Sequence, residues 1–419
     1  MPQVKTPLLT SIRQPTAAET GEPTPKLVGA AWALLILNTL GSTGAETVIP
    51  LPRAVSQLVT MGALMTAFVI ALALNPRLKI RPSAYLLLLT LLLVTSTVAS
   101  LHLEAGFGSL FRCFRFGVFL ATLWLLTRWW NGRFTFVRHH IKMFGAVLVS
   151  VAIGLVIAPG KAMPESYGGR LAGAVWPLTP PQVGQYAAVI AGLAALLWLG
   201  KRTTMTSALI VIVPSLGLLL LSHTRTATLG LVAGLVVALL SLAMTNARAR
   251  KVFTTFVLAA GFAGVVLGGL LQAWFLRGQS EENFSSLTGR AKVWDALLAA
   301  PRTVNEYIFG VGLTDKSYDG LPIDNSWLAV YHEQGFTGIA IVAAFLLVLV
   351  AVAVLRPPSL ARACAIFLIT YCVSASYTEA GLGDASPYLL HLALAASLLA
   401  QGTVRAASDE EFIPKGQPA

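Results

Sequence analysis

At 419 residues, 56% hydrophobic and only 11% charged, with a mean hydropathy of +0.73, the chain is too apolar for a soluble enzyme and reads as an all-α integral membrane protein of the polytopic class. Its net charge of +12 calls for no nucleic acid, because most basic residues sit in short loops between apolar runs, where they face an anionic inner leaflet. Cys113, Cys364 and Cys372 fall within or at the ends of apolar runs without metal spacing, so they read as small buried hydrophobes and imply no disulfide framework.

Residues 1–26 are polar, rich in Pro and Thr, and lack the apolar core of a signal peptide. They are expected to form a disordered cytoplasmic tail, as are residues 404–419. Between them, over 27–403, apolar stretches recur that are each long enough to cross a hydrocarbon core of roughly 30 Å as a helix. About twelve transmembrane helices are expected, near 28–49, 55–74, 83–100, 109–127, 141–158, 182–199, 206–222, 226–244, 252–275, 334–355, 362–377 and 386–402. The basic residues Arg77, Lys79, Arg81, Arg128, Arg133, Arg138, Lys142, Lys201, Arg202, Arg248, Arg250, Lys251, Arg356 and Arg362 then share one side, which the positive-inside rule makes cytoplasmic together with both termini.

Two segments on the opposite, external side are long enough to carry chemistry: 159–181, and 276–333 between helices nine and ten. Within the longer one, Val293, Trp294, Leu297 and Leu298 fall on one helical stripe that Pro301 stops, so a short amphipathic helix is expected at the interface. Gly310, Gly312, Gly320, Gly335 and Gly338 punctuate the remainder as turns. Asp315 and Asp319 read as solvated loop residues, spaced too widely from Asp324 for a metal motif.

Arg225 stands in LLLLSHTRTATLGLVAGL, held between two apolar runs. An ionisable group there is either an anion site or an arginine snorkelling from a helix end. His223 beside it has the same two readings, binding or structural. Arg290, one turn before Trp294, is either an anion ligand or an anchor for its helix. Asp324, ahead of Asn325, Ser326 and Trp327, is either a functional carboxylate or a helix N-cap. His332 lies eight residues further on, a spacing that places it on one helix face with Asp324. No GxxxxGK[ST], HExxH or CxxC string is present.

The strings TRTATLG, TGRAKVW, FGVGL and DNSWLAVYHEQGFTG, in that order and preceded by GGRLAGAVWPLTPPQVGQYAA, resemble the O-antigen ligase and O-antigen polymerase superfamily over roughly residues 160–345. That resemblance implies a GT-C type membrane glycosyltransferase working at the external face of the cytoplasmic membrane, inverting, without metal or other cofactor. Its donor would be a polyprenyl-diphosphate-linked glycan and its acceptor a hydroxyl of a glycan or glycolipid. The pattern assigns Arg170, Arg225 and Arg290 to a diphosphate clamp, a task suited to the forked guanidinium. Asp324 stands where ligases carry a histidine before the residue that is Asn325 here, so Asp324 or His332 would serve as base and the lipid A core is a less secure acceptor. Arg112 and Arg115 are secondary candidates for the lipid diphosphate, or anchors. A polymerase of the same superfamily shares the donor chemistry. A transporter of a lipid-linked glycan or small anion would need discontinuous helices and midplane charges, which the sequence does not suggest.

Overall fold

The computed structural model describes residues 24–41, 46–50, 52–102, 106–266, 272, 290–314 and 316–400. The helices in chain order are α1 (Lys26–Thr39), α2 (Arg53–Leu74), α3 (Ala84–His102), α4 (Gly106–Leu126), α5 (Thr135–Ile157), the short α6 (Pro159–Ala162), α7 (Pro180–Leu199), α8 (Met205–Ser222), α9 (Arg225–Ala243) and α10 (Ala247–Val266). They continue as α11 (Arg290–Ala299), α12 (Val304–Phe309), α13 (Ser326–Leu355), α14 (Leu360–Ala375) and α15 (Pro387–Leu399). Among the described residues, 8 helices are long and apolar enough to cross a membrane, and α1, α14 and α15 are shorter apolar helices. The fold is all-α, suited to a lipid bilayer. The tails 1–23 and 401–419, Asp315, and most of the expected ninth span beyond Val266 lie outside the described residues.

Two helices, α15 and α7, lie at the centre of the bundle. All 13 residues of α15 are buried, and α7 is buried along nearly its whole length, as expected of helices apolar all round. Small residues let neighbours approach: Gly192 on α7 and Gly234 on α9 face the Phe367 ring, and Gly230 faces Tyr371. The rim helices turn apolar stripes outward instead. On α3, Leu87, Leu91, Val94, Val98 and Leu101 are all exposed at helical spacing, a stripe that water would penalise and lipid accepts.

Helix ends follow local capping chemistry. Ser386 caps α15 by accepting from the Leu389 amide, with Pro387 at the first helical position. The Gln182 side chain returns to the Thr179 amide at the start of α7, 2.9 Å away. The predicted span 28–49 is corrected to the 14-residue α1, because the weak helix formers at Gly41 and beyond end it. Among the described residues that follow, the Val48 amide donates to the Ala174 carbonyl.

The basic loops meet at one end of the bundle. Arg81 donates to the Trp130 carbonyl, Arg202 lies over Phe134, Arg248 over Trp198, and Arg356 reaches the Leu399 carbonyl. The α6 to α7 connection, the α8 to α9 turn, the start of α13 and the α14 to α15 turn meet at the other end.

Helix α13 is broken at Gly335, one of the glycines expected as turns, whereas Gly338 lies within the helix. Gly335 adopts φ 63°, ψ −163°, which is essentially open only to glycine. The chain leaving α12 fills the break: the Val311 amide donates to the His332 carbonyl at 2.9 Å and the Gly312 amide to the Glu333 carbonyl at 3.0 Å. The apolar stretch 336–355 is by itself long enough to cross a bilayer, at about 1.5 Å per residue. Ser326–Gln334 forms an extra arm at the loop end, so the expected loop 276–333 gives up its last residues to helix.

Candidate functional site

The site grows from a tight reversal between α8 and α9. His223 takes a left-handed conformation, φ 47°, so the chain turns from Ser222 into Arg225 without a loop. Gly184 on α7 packs against this turn so closely that an added Cβ would lie 2.6 Å from Thr224 Cβ. Thr224 Oγ1 donates to the Pro180 carbonyl, 3.0 Å away, which locks the turn to α7. His223 therefore has a structural role at the turn beside the arginine.

Arg170 reaches this turn from the neighbouring loop. Its Nε donates to the Ser222 carbonyl at 3.0 Å and its Nη2 to Thr224 Oγ1 at 3.3 Å, while the Leu171 amide bonds the Leu221 carbonyl. Burial lowers the Arg170 pKa from the usual guanidinium value; Glu379 opposes this, and Arg290 and Arg225 reinforce it. Arg225 lies within electrostatic reach of Arg290 as well. The three arginines, far apart in sequence, therefore share one electrostatic neighbourhood.

Arg290 opens α11, where Trp294 and Leu297 face inward and Leu298 is exposed, so the predicted stripe holds except at its last member. Arg290 Nε pairs with Asp324 Oδ2 at 3.1 Å. Asp324 is neither within α13 nor its cap, which corrects the expected N-cap and the helix face shared with His332: the cap is Asn325, whose side chain accepts from the amides of Trp327 and Leu328. Asp324, one residue before the cap, turns its carboxylate to Arg290.

Sequence reasoning missed Glu379, in the α14 to α15 turn. This turn is tied to α13 by Asn325 Nδ2 on the Tyr377 carbonyl, the Ser326 amide on the Ser376 carbonyl and Ser326 Oγ on the Glu379 carbonyl. The Thr226 and Thr378 hydroxyls tie it to α9, and Trp294 packs edge-on to Tyr377. Burial pushes the half-buried Glu379 carboxyl up to about 7; Arg290 opposes this, Asp324 adds to it and Arg170 opposes it.

The other expected residues go elsewhere. His332 does not join Asp324: its Nδ1 is 3.0 Å from Arg302 Nη2 and its ring meets Tyr318 edge-on. Arg112 pairs with Asp384 at 2.8 Å and Glu333 at 3.3 Å, and Lys316 also holds Asp384. Burial raises the Asp384 carboxyl, but Lys316 and Arg112 outweigh it and leave the group below the usual carboxylate range. Arg115 donates to the Asn38 carbonyl at 2.9 Å. These two arginines are bound into the protein's own framework. Asp319 is exposed in a two-residue Asp-Gly turn joining strands Ser317–Tyr318 and Leu321–Pro322.

Among the described residues, no group of three or more His, Cys, Asp or Glu is placed to hold a metal ion. An apolar groove beside Pro214 on α8, lined by Met205, Leu209 and Val213, lies along a lipid-suited helix and begins at the basic end, away from the arginines. The arginine neighbourhood is thus the place where charge, burial and held backbone coincide. No protein-family model matches the chain, and no curated protein matches it.

Proposed function

We propose that the protein is a glycosyltransferase of the cytoplasmic membrane that moves a polyprenyl-diphosphate-linked glycan to an acceptor hydroxyl, with inversion and without metal or cofactor. The observation that carries this reading is the convergence of Arg170, Arg225 and Arg290 at one end of an apolar bundle, three guanidinium groups against the carboxyls of Asp324 and Glu379. A diphosphate spreads charge over several oxygens, and arginine forks match them in paired hydrogen bonds. Donors held in place before the reaction are typically worth about 3–4 kcal/mol each when charge grows on the leaving group.

In this reading the chain crosses the bilayer about twelve times. The basic loops face the cytoplasm with both termini, and the arginine end opens outside. The resemblance of the TRTATLG, TGRAKVW and DNSWLAVYHEQGFTG strings to O-antigen ligases and polymerases supports the same assignment, with ligase-type transfer ahead of repeat-unit polymerisation.

The break in α13 favours a second reading, a carrier of lipid-linked glycan, because carriers build ion sites from unwound backbone. Here the amides of Val311 and Gly312 already occupy the carbonyls of His332 and Glu333, so those carbonyls are committed to the fold. Transfer remains the stronger reading.

The test is transfer in nanodiscs, with a polyprenyl-diphosphate oligosaccharide as donor and extracted envelope glycolipids as acceptors. Arg170→Lys, Arg225→Lys and Arg290→Lys should each cut turnover by about 10² or more, because a point charge replaces a fork. Wild-type rates in all three lysine variants would sink the clamp. Donor binding by the wild type with transport across sealed vesicles, and no transfer to any acceptor, would establish the carrier.

A further inference from the structure

We propose that Glu379 is the general base that takes the proton from the acceptor hydroxyl at the Arg170, Arg225 and Arg290 site. This inference rests on the transferase reading above and names a residue outside the strings that suggested it.

Three observations lead to it. First, Glu379 and Asp324 are the carboxyls within electrostatic reach of the arginines among the described residues, and Asp324 is already held by Arg290 at 3.1 Å. No hydrogen bond or ion pair engages the Glu379 carboxylate among the described residues, whereas its own carbonyl accepts from Ser326 Oγ at 2.6 Å. The backbone is fixed and the carboxylate is left to turn toward a substrate.

Second, the groups around it balance. Arg290 from α11 and Arg170 from the α6 to α7 connection favour the ionised form, while Asp324 before α13 favours the protonated one. Tyr371 of α14 and Tyr388 of α15 also lie within its electrostatic reach. A carboxyl poised near neutral pH is suited to accept and release a proton in each cycle. Third, His332, the other expected base, is occupied by Arg302 and sits against Tyr318.

In the step itself the acceptor oxygen attacks the anomeric carbon and forms the new glycosidic C–O bond. The bond from that carbon to the diphosphate oxygen breaks, and its electron pair leaves with the diphosphate beside the arginines. The hydroxyl proton passes to a Glu379 carboxylate oxygen and then to water, which resets the site. No oxidant or reductant is required.

Donor binding and turnover are measured on the same nanodisc samples for wild type, Glu379→Gln, Glu379→Asp and Asp324→Asn, using a polyprenyl-diphosphate oligosaccharide and one acceptor glycolipid. Glu379→Gln should bind donor at least as tightly as wild type, because a negative charge leaves an anion site, while turnover falls by about 10² to 10⁴. Wild-type kcat should rise with pH through about 7, Asp324→Asn should keep that rise, and Glu379→Asp should keep part of the rate with the rise displaced. Retained turnover and an unchanged pH profile in Glu379→Gln overturn the assignment, as does a rise that vanishes only in Asp324→Asn. Absence of donor binding and of turnover in the wild type would instead sink the transferase reading, a result separable from these because it does not depend on position 379.

Discussion

Replacing Gly335 by alanine tests the joint on which the loop end of the bundle hangs. An added Cβ would lie 2.5 Å from both the carbonyl carbon and oxygen of Ile308 and 2.6 Å from the Gly310 amide nitrogen, all backbone atoms that no rotamer change can move. The residue would also be held at φ 63°, ψ −163°, which costs a non-glycine side chain about 1–3 kcal/mol. Forcing the two backbones apart adds about 1–3 kcal/mol, as overpacking does elsewhere. The hydrogen bonds from Val311 and Gly312 into the break would weaken too, at about 1 kcal/mol each. A loss of about 4–8 kcal/mol is expected. Thermal unfolding in detergent should therefore show a drop of several degrees for Gly335→Ala, set against Gly217→Ala on α8, whose Cβ meets nothing within 4 Å. Hydrogen exchange at Val311 and Gly312 should speed up in the first variant alone. Equal melting temperatures and unchanged exchange would refute the account of the joint.

Two further outcomes follow from the charged groups. Arg112→Ala strands the buried carboxyls of Glu333 and Asp384; breaking such a pair costs about 3–5 kcal/mol, here toward the lower value because Lys316 stays on Asp384. Melting should fall accordingly and recover in part when Glu333→Gln is added, whereas an unchanged melting temperature would count against a structural role for Arg112. Glu379 binds its proton more tightly folded than unfolded, so its contribution to stability is full below about 4.5 and is lost as pH rises to about 7. Melting followed from pH 4.5 to 7.5 should decline more in wild type than in Glu379→Gln, and parallel curves would contradict the raised value.

The helices were legible because their signal is the length of an apolar run, and runs ended by Pro, Gly or charge give α2 to α4 and α7 to α9 to within a few residues, while α5 starts earlier than expected and the short α6 falls in an expected loop. Where the run is not the cause, the reading slips. The start of α13 is set by the Asn325 cap, and its first turns, SWLAVYHEQ, are too mixed in character for an apolar window to include them. The turn expected at Gly335 is there, but the partner segment that fills it, Ile308–Gly312, is one that no local pattern reveals. At the site, Arg225 and Arg290 stood out as charges against apolar surroundings. Glu379 did not, because the linker between the last two spans looked too short to matter. A signal was there: Glu379 and Asp384 place two acids in YTEAGLGDAS with no local base, in a chain with 18 acids against 30 lysines and arginines. Asp384 pairs with Arg112, and Glu379 lies within electrostatic reach of Arg290 and Arg170, all from distant sequence.

The strongest check on the interior is a pair of histidines that link four helices. Trp32 Nε1 can only donate, and it gives its hydrogen bond to His140 Nδ1 at 3.2 Å. The His140 proton must then sit on Nε2, 2.9 Å from His391 Nδ1. The His391 proton falls in turn on Nε2, 3.1 Å from the Gln185 amide, which accepts once its oxygen is turned that way. One direction thus satisfies every ring nitrogen with both imidazoles neutral, and it joins α1, α5, α15 and α7. Truncating either histidine leaves a buried donor or acceptor unmet on its neighbour, at about 1–3 kcal/mol. Removing both deletes the shared bond once rather than twice, so His140→Leu and His391→Leu should be less than additive, with a coupling near 1 kcal/mol. The expected size is tempered by the average of about 0.6 kcal/mol measured for such bonds between membrane helices. Additivity within about 0.3 kcal/mol would show that the rings merely fill space, because only a bond they share can make the second loss smaller than the first.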